Sequence, residues 1–188
     1  MPPDIKAPAD FSIRPARADD ALCLGVLGLQ VYLDTYATEG IRPTVARAVL
    51  AAFSTEAMAA VLAAPHTAVI VAEQVLKGDM HLVGFAQFER GATQPLVQAA
   101  WPHVPLVRLD RLYVQEPLTR RGLGARLLQA AEAEAAAGGA AAMWLTAWVH
   151  NHRALAFYAR QGWADLGSTL YRIEHETHDN RVLGRALQ

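Results

Sequence analysis

Leu109-Asp110-Arg111-Leu112-Tyr113-Val114-Gln115-Glu116-Pro117-Leu118-Thr119-Arg120-Arg121-Gly122-Leu123-Gly124-Ala125-Arg126-Leu127-Leu128-Gln129 is the stretch whose reading decides the fold. A strand-like run ends at Val114, a short loop carries two arginines and two glycines, and a long apolar helix follows. Gly122 and Gly124 permit positive φ and close backbone approach. The free N–H groups of a helix start, its dipole and the two guanidiniums surround one small hollow, which suits a pyrophosphate. Two familiar phosphate binders fail on the residues. A dinucleotide turn needs a third glycine where this chain has Leu127, and no Gly-Lys-Ser/Thr of a P-loop occurs.

Outward from this segment, periodicity gives the other elements. Phe11–Pro15 reads as an opening strand stopped by its proline, with Asp19 as N-cap of a helix reaching about Tyr36. Gly40 and Pro43 break that pattern, and a second helix, continuous or interrupted, is expected from Thr44 to Leu62. Ala68-Val69-Ile70-Val71-Ala72 marks a buried strand over 66–73, which Lys77-Gly78-Asp79 turns into a partner over 81–89. Pro95, Pro102 and Pro105 prevent a long element between Gly91 and Pro105. Next come a strand at Leu106–Val114, a helix at Leu123–Ala137 closed by Gly138-Gly139, and a strand at Ala141–Trp148. A helix over 153–161 and strands over 163–174 and 180–186 finish the chain. The order β-α-α-β-β-β-α-β-α-β-β predicts an α/β domain with a mixed central sheet over 11–188, behind a loose tail at 1–10.

Composition narrows the function. With 188 residues, 53% hydrophobic and 19% charged, the chain suits one globular domain. A net charge of −1 argues against nucleic acid as a partner. Met1–Asp10 has no apolar core of a signal peptide, and no apolar run approaches the ~18 residues that span a bilayer. The single cysteine, Cys23, excludes an intramolecular disulfide and points to a reducing, cytoplasmic setting. Its place in the apolar pattern of its helix predicts that it is packed.

Thr119-Arg120-Arg121-Gly122-Leu123-Gly124 resembles the acetyl-CoA signature Gln/Arg-x-x-Gly-x-Gly/Ala of the GCN5-related N-acetyltransferase superfamily, with Thr119 in the first position. Asn151-His152-Arg153-Ala154-Leu155-Ala156-Phe157-Tyr158 through Gly162-Trp163 is similar to that family's Asn-x-x-Ala-x-x-Phe-Tyr-x-x-x-Gly-Phe. Ile13-Arg14-Pro15-Ala16 followed by Asp19 fits its first strand and turn. Within the family, Met143–Trp148 leading to Asn151, and the later His178-Asp179, resemble the PaiA-type polyamine acetyltransferase branch. Val149-His150 stands where that branch has Glu, and His178-Asp179 replaces Thr-Asp.

The resemblance implies a sheet splayed at its middle strands and acetyl-CoA as cosubstrate. It further implies acetyl transfer to an amine of a small molecule (polyamine-like or amino-acid-like) or a peptide in a ternary complex. A homodimer is compatible with it. The cosubstrate is expected on Leu112, Tyr113 and Val114, then on Arg120, Arg121, Gly122, Leu123, Gly124 and Ala125, and on Asn151. Leu112 and Val114 would act through backbone, the N–H of Val114 serving the oxyanion. Tyr158 is expected to protonate the departing thiolate. It lies seven residues after Asn151, nearly two helical turns, and so on the same face; packing with Phe157 is its alternative role, and helix capping that of Asn151. Asp110 is the candidate base, although strict alternation would turn it toward solvent, and Glu116 lies in the loop beyond. Arg108 occupies a position where the branch often has Glu. The resemblance puts Tyr32, Asp34, Tyr36 and Glu39 where the family shapes its acceptor site, with solvation on the helix surface the stronger reading for any one of them. Trp144 and Trp148, on one strand face, are expected in the core. His150, His152, His175 and His178 lack the acidic or cysteine partners of a metal-ligand spacing. A non-catalytic acyl-CoA-binding module is the competing class, motivated by Thr119 and Arg108.

Overall fold

Alternating burial along the central strands assigns a helical layer to each face of one sheet. In β2 (Thr67–Leu76), Ile70 and Ala72 join the core on one face, while Val69 and Val71 join that on the other. The computed structural model describes residues 11–173 and 176–188, so the expected loose tail over 1–10, and Glu174 and His175, lie outside the described residues. β2 turns into β3 (Asp79–Arg90) through Lys77 and Gly78, whose φ of 54° and 94° suit a two-residue hairpin. With β1 (Phe11–Pro15), β4 (Leu106–Val114), β5 (Ala142–Trp148), β6 (Ala164–Ile173) and β7 (Glu176–Ala186), the sheet runs β1-β2-β3-β4-β5-β7-β6. All neighbours are antiparallel except β4 and β5.

The parallel β4–β5 pair needs a crossover, supplied by α5 (Leu123–Ala137). Leu123, Leu127, Leu128, Ala131 and Ala135 recur at helical spacing and pack on Phe88, Leu109 and Leu145. The three leucines are 1% exposed or less. Each contributes on the order of 2 kcal/mol, far more than helix propensity, so burial decides where this helix sits. Its end is closed by Ala140 N–H donating to Ala135 O at 3.0 Å around Gly139. Helix α6 (His152–Arg160) completes this layer, with Tyr158 packed on Phe157 and Trp163.

The opposite layer is built from α1 (Ala21–Tyr36), α2 (Pro43–Ala52), α3 (Thr55–Ala63) and the short α4 (Pro95–Ala100). The structure sharpens two expectations here and changes a third. The second helix divides at Phe53-Ser54, where the Ser54 hydroxyl accepts from Ala57 N–H at 3.1 Å and starts α3. A short helix lies within 91–105, because Pro95 sits at its first turn and the Gln94 side chain accepts from Leu96 and Val97 N–H. Asp20, not Asp19, organises the entry to α1. Its carboxylate accepts from Arg17 N–H at 2.7 Å and from Arg14 at 2.7 and 2.9 Å, while Asp19 is exposed. Arg14 also bonds Glu73, tying β1, β2 and α1 together, and it holds the Asp20 carboxyl below its ordinary value.

Cys23 is exposed rather than packed. The buried stripe of α1 is Ala21, Leu24, Gly25, Leu27 and Gly28, which leaves Cys23 with Leu22 and Val26 on the outer side. Gly25 and Gly28 set how closely α1 approaches Phe53. A Cβ on Gly25 would stand 2.5 Å from the Phe53 carbonyl oxygen, and one on Gly28 would stand 2.4 Å from its ring. Gly25→Ala should therefore lower the unfolding free energy by about 1–3 kcal/mol in urea titration. Helix propensity alone predicts a gain of up to about 1 kcal/mol, so a stabilised variant would refute this packing.

Candidate active site

Two backbone turns with left-handed residues shape the start of α5. Arg120 and Gly122 have φ of 61° and 81°, and no side chain caps the helix, so its first amide donors stay open. A Cβ on Gly122 would meet nothing within 4 Å, and one on Gly124 only the Phe157 ring at 3.6 Å. The protein thus leaves this cradle unfilled. Arg120 and Arg121 are exposed and have no hydrogen-bond or ion-pair partner among the described residues. Thr119, in the first signature position, donates instead to the Glu116 carbonyl at 2.9 Å. Glu116 pairs with Arg153 at 2.6 Å, an exposed contact of small energy that sets the loop against α6. Open donors, two cations and unfilled space together fit a pyrophosphate-bearing molecule.

Beside this cradle the sheet opens. β4 and β5 pair only at Leu106–Ala142, Val107–Met143 and Arg108–Trp144, so Leu109–Val114 have no partner in β5. The side chains of Leu112 and Val114 pack into the α5 layer, and Tyr113 packs against Phe53 and Phe85 on the opposite face. That is the disposition expected if Leu112 and Val114 act through backbone. Leu123 is buried and Ala125 half-buried at the mouth of the cradle. Asn151 caps α6, its Oδ1 accepting from Ala154 N–H at 3.1 Å, while its Nδ2 reaches the Tyr36 hydroxyl at 3.5 Å. Tyr158 is 7% exposed, and its hydroxyl has no hydrogen-bond partner among the described residues. Burial, with Tyr36 and Tyr113 nearby, pushes its pKa up, so the phenol keeps its proton at neutral pH.

On the α1–α2 side a cavity of about 990 Å³ reaches from this opening. Its floor is shaped by a β-bulge. Gln87 pairs with Arg111 and Phe88 with Leu109, so Asp110 is an extra residue in β4. Asp110 and Arg111 consequently both line the cavity, together with Arg108, Gln87 and Glu89. This corrects the expectation that alternation turns Asp110 to solvent, since alternation fails at a bulge. Arg108 donates to Asp110 at 2.5 Å and to Glu89 at 2.6 Å. Burial raises the Asp110 pKa, and Arg108 offsets part of that rise.

Of the residues expected at the acceptor site, Tyr32 and Tyr36 line the cavity, whereas Asp34 and Glu39 are exposed and do not. Trp144 is core, with Nε1 donating to the Ala92 carbonyl at 3.0 Å. Trp148 is not; it stands half-buried between Tyr36 and His150 as a cavity wall. Asn180, opposite Trp148 in β7, is buried with Oδ1 unpaired among the described residues. Sequence reasoning passed over Gln87, Glu89 and Arg111. The first two alternate with Ala86 and Phe88 in a central strand, a legible sign of a polar site; Arg111 depends on the bulge, which no local pattern marks.

Comparison with known proteins places this geometry. Residues 38–163, more than half of the chain, match the model of the acetyltransferase (GNAT) family. An uncharacterised N-acetyltransferase of Lactobacillus delbrueckii subsp. lactis, encoded in the pepI 3′ region, is 27% identical over 81 residues; the match spans 43% of this chain and 47% of that relative. The structure resembles the PaiA N-acetyltransferase of Thermoplasma acidophilum in complex with coenzyme A, with TM-score 0.69 and 16% identity over 94% of this chain and 99% of that one. It also resembles Arabidopsis thaliana NAA60 in complex with a bisubstrate analogue, with TM-score 0.73 and 16% identity over 95% and 100% of the two chains. The parted β4–β5 pair and the Arg-Arg-Gly-Leu-Gly turn thus sit in a shared fold, and the chain belongs to the acetyltransferase (GNAT) family.

Proposed function

We propose that this protein transfers an acetyl group from acetyl-CoA to a primary amine of a small molecule or peptide, by direct attack in a ternary complex. The observation that carries this reading is the buried Tyr158 phenol, without a hydrogen-bond partner among the described residues and near Tyr36 and Tyr113 of the cavity wall. Arg120, Arg121 and the open amides from Gly122 to Ala125 would hold the pyrophosphate, and the unpaired edge of Leu112–Val114 would meet the pantetheine amides. Bound there, acetyl-CoA supplies an activated acyl group with a thiol as leaving group. Asp110 takes a proton from the acceptor's ammonium, freeing the lone pair that forms the new C–N bond. The Val114 N–H stabilises negative charge on the acyl oxygen, and Tyr158 gives its proton to sulfur as the C–S bond breaks. Holding both molecules in one cleft supplies much of the acceleration. The lone cysteine supports a reducing compartment, the cytoplasm, for this activity.

Acetyl-CoA and CoA, but not NAD or ATP, should stabilise the protein by ~2–3 kcal/mol in thermal shift at about 100 times Kd. A folded protein that ignores CoA would sink the proposal.

Tyr158→Phe should lower kcat at least ~10-fold with CoA affinity kept; an unchanged kcat removes the phenol from the chemistry.

Asp110→Asn separates catalysis from structure. Because burial raises the Asp110 pKa, the native state holds this proton more tightly than the unfolded chain does. The group's contribution is therefore most favourable below the unfolded value of 3.8 and declines as pH rises through the folded value. Removing the charge should leave Tm at pH 7 unchanged or raised, while kcat falls by ~10²-fold or more. A parallel loss of Tm and activity would make Asp110 a structural ion-pair partner only.

A further inference from the structure

The cavity's charges are not arranged for a polycation. Among the described lining residues, Arg108 and Arg111 stand with two carboxylates, Glu89 and Asp110. Both carboxylates are engaged by one guanidinium, that of Arg108. Arg111 is therefore left without a carboxylate ion pair among the described residues, even though Asp110 is its chain neighbour. It is nevertheless held in place. Its Nη1 donates to Gln87 Oε1 at 2.5 Å, and its guanidinium lies 4.7 Å over the Phe53 ring. Gln87 is 7% exposed, so this orienting contact is partly shielded from water. One N–H of the planar fork is used, and the others remain for a ligand.

A fixed guanidinium in a concave site, short of a carboxylate, is a receptor for one, because the fork matches a carboxylate's two oxygens. The bulge sets this receptor directly beside Asp110, the proposed proton acceptor. One side of the cavity floor thus presents anionic oxygens and the adjacent position presents cationic nitrogen. This is the complement of a molecule that carries an ammonium and a carboxylate a few atoms apart. The walls add Tyr32, Tyr36, Trp148 and Tyr171, which suit a compact apolar or aromatic body. A long polyamine would bring further cations to Arg111, where no carboxylate among the described lining residues is left to receive them, a built-in repulsive element.

We infer that the acceptor is a free amino acid or a closely related amino carboxylate, with Arg111 binding its carboxylate and the amine directed to Asp110. This rests on the acetyl-transfer reading for the role of the cavity, but its test does not depend on turnover.

The test is calorimetric titration of the protein, with and without CoA, using each standard amino acid, its C-terminal amide, and spermidine. At least one amino acid should bind ten-fold or more tighter than its amide. Arg111→Gln should bring that ratio close to one, and Arg111→Lys, which keeps the charge and loses the fork, should retain part of it. The inference is overturned if no amino acid binds, if amides bind as well as acids throughout, or if spermidine binds tighter than every acid. Should Arg111→Gln fail to fold, the acid-to-amide ratio of the parent protein and of Arg111→Lys still decides. The two readings separate cleanly. Acid-selective binding without CoA binding would retain the carboxylate site and discard acetyl transfer, whereas acetylation of amides or spermidine with no preference for acids would do the reverse.

Discussion

β4 and β5 stay in register from Leu106 to Arg108 and then part, and the other working features are arranged around that separation. A folded chain rarely leaves strand backbone unpaired, since each buried orphan group costs roughly 1–3 kcal/mol. Here the opening is braced on both flanks, by β3 paired along β4 and by β7 paired along the whole of β5. Because the two strands are parallel, both point their C-terminal ends the same way, and the chain leaves each toward a helix. The starts of α5 and α6 therefore converge at one end of the gap, where Glu116 and Arg153 link them. Ligands of open α/β sheets collect at such a point for this topological reason.

Electrostatics inside the cavity follows from how few groups share the available counter-charge. Arg108 serves Glu89 and Asp110 at once, so neither carboxylate enjoys a guanidinium of its own. Burial then raises the Asp110 pKa, but only against the resistance of that shared partner. A carboxylate so placed remains ionisable and is more basic than one at the surface, as proton abstraction requires. Arg108 also lies 5.9 Å over the Trp144 ring, which holds the guanidinium in place. The buried Tyr158 stays protonated. The proposed acid, on α6, and the proposed base, on β4, thus come from different elements of the fold.

Much of this was legible from residues alone, and the failures share a cause. Strand β4, helix α5 and the hairpin around Gly78 are local, with strong periodicity or demanding turn residues, and they stand where they were read. The glycine motif located the cradle because glycine geometry is also a local property. The misreadings arose where a partner distant in sequence decides. Asp20 rather than Asp19 is fixed by Arg14 and Glu73, Cys23 is turned out because Gly25 and Gly28 seat α1 on Phe53, and Trp148 is a wall because β4 departs from β5. No window along the chain contains those contacts.

The extra residue at Asp110 also makes β4 a strand with two phases. Before it, Arg108 faces the cavity and Leu109 the core; after it, Arg111 and Tyr113 face the cavity and Leu112 and Val114 the core. Parity, not residue identity, therefore decides which groups meet the acceptor. Were the bulge straightened with all residues kept, Arg111 and Tyr113 would turn to the core and Leu112 and Val114 to the cavity, with every side chain chemically unaltered. Deleting Asp110 would instead restore plain alternation with Arg111 still facing the cavity, so the bulge is what lets this floor carry a carboxylate and a second guanidinium side by side.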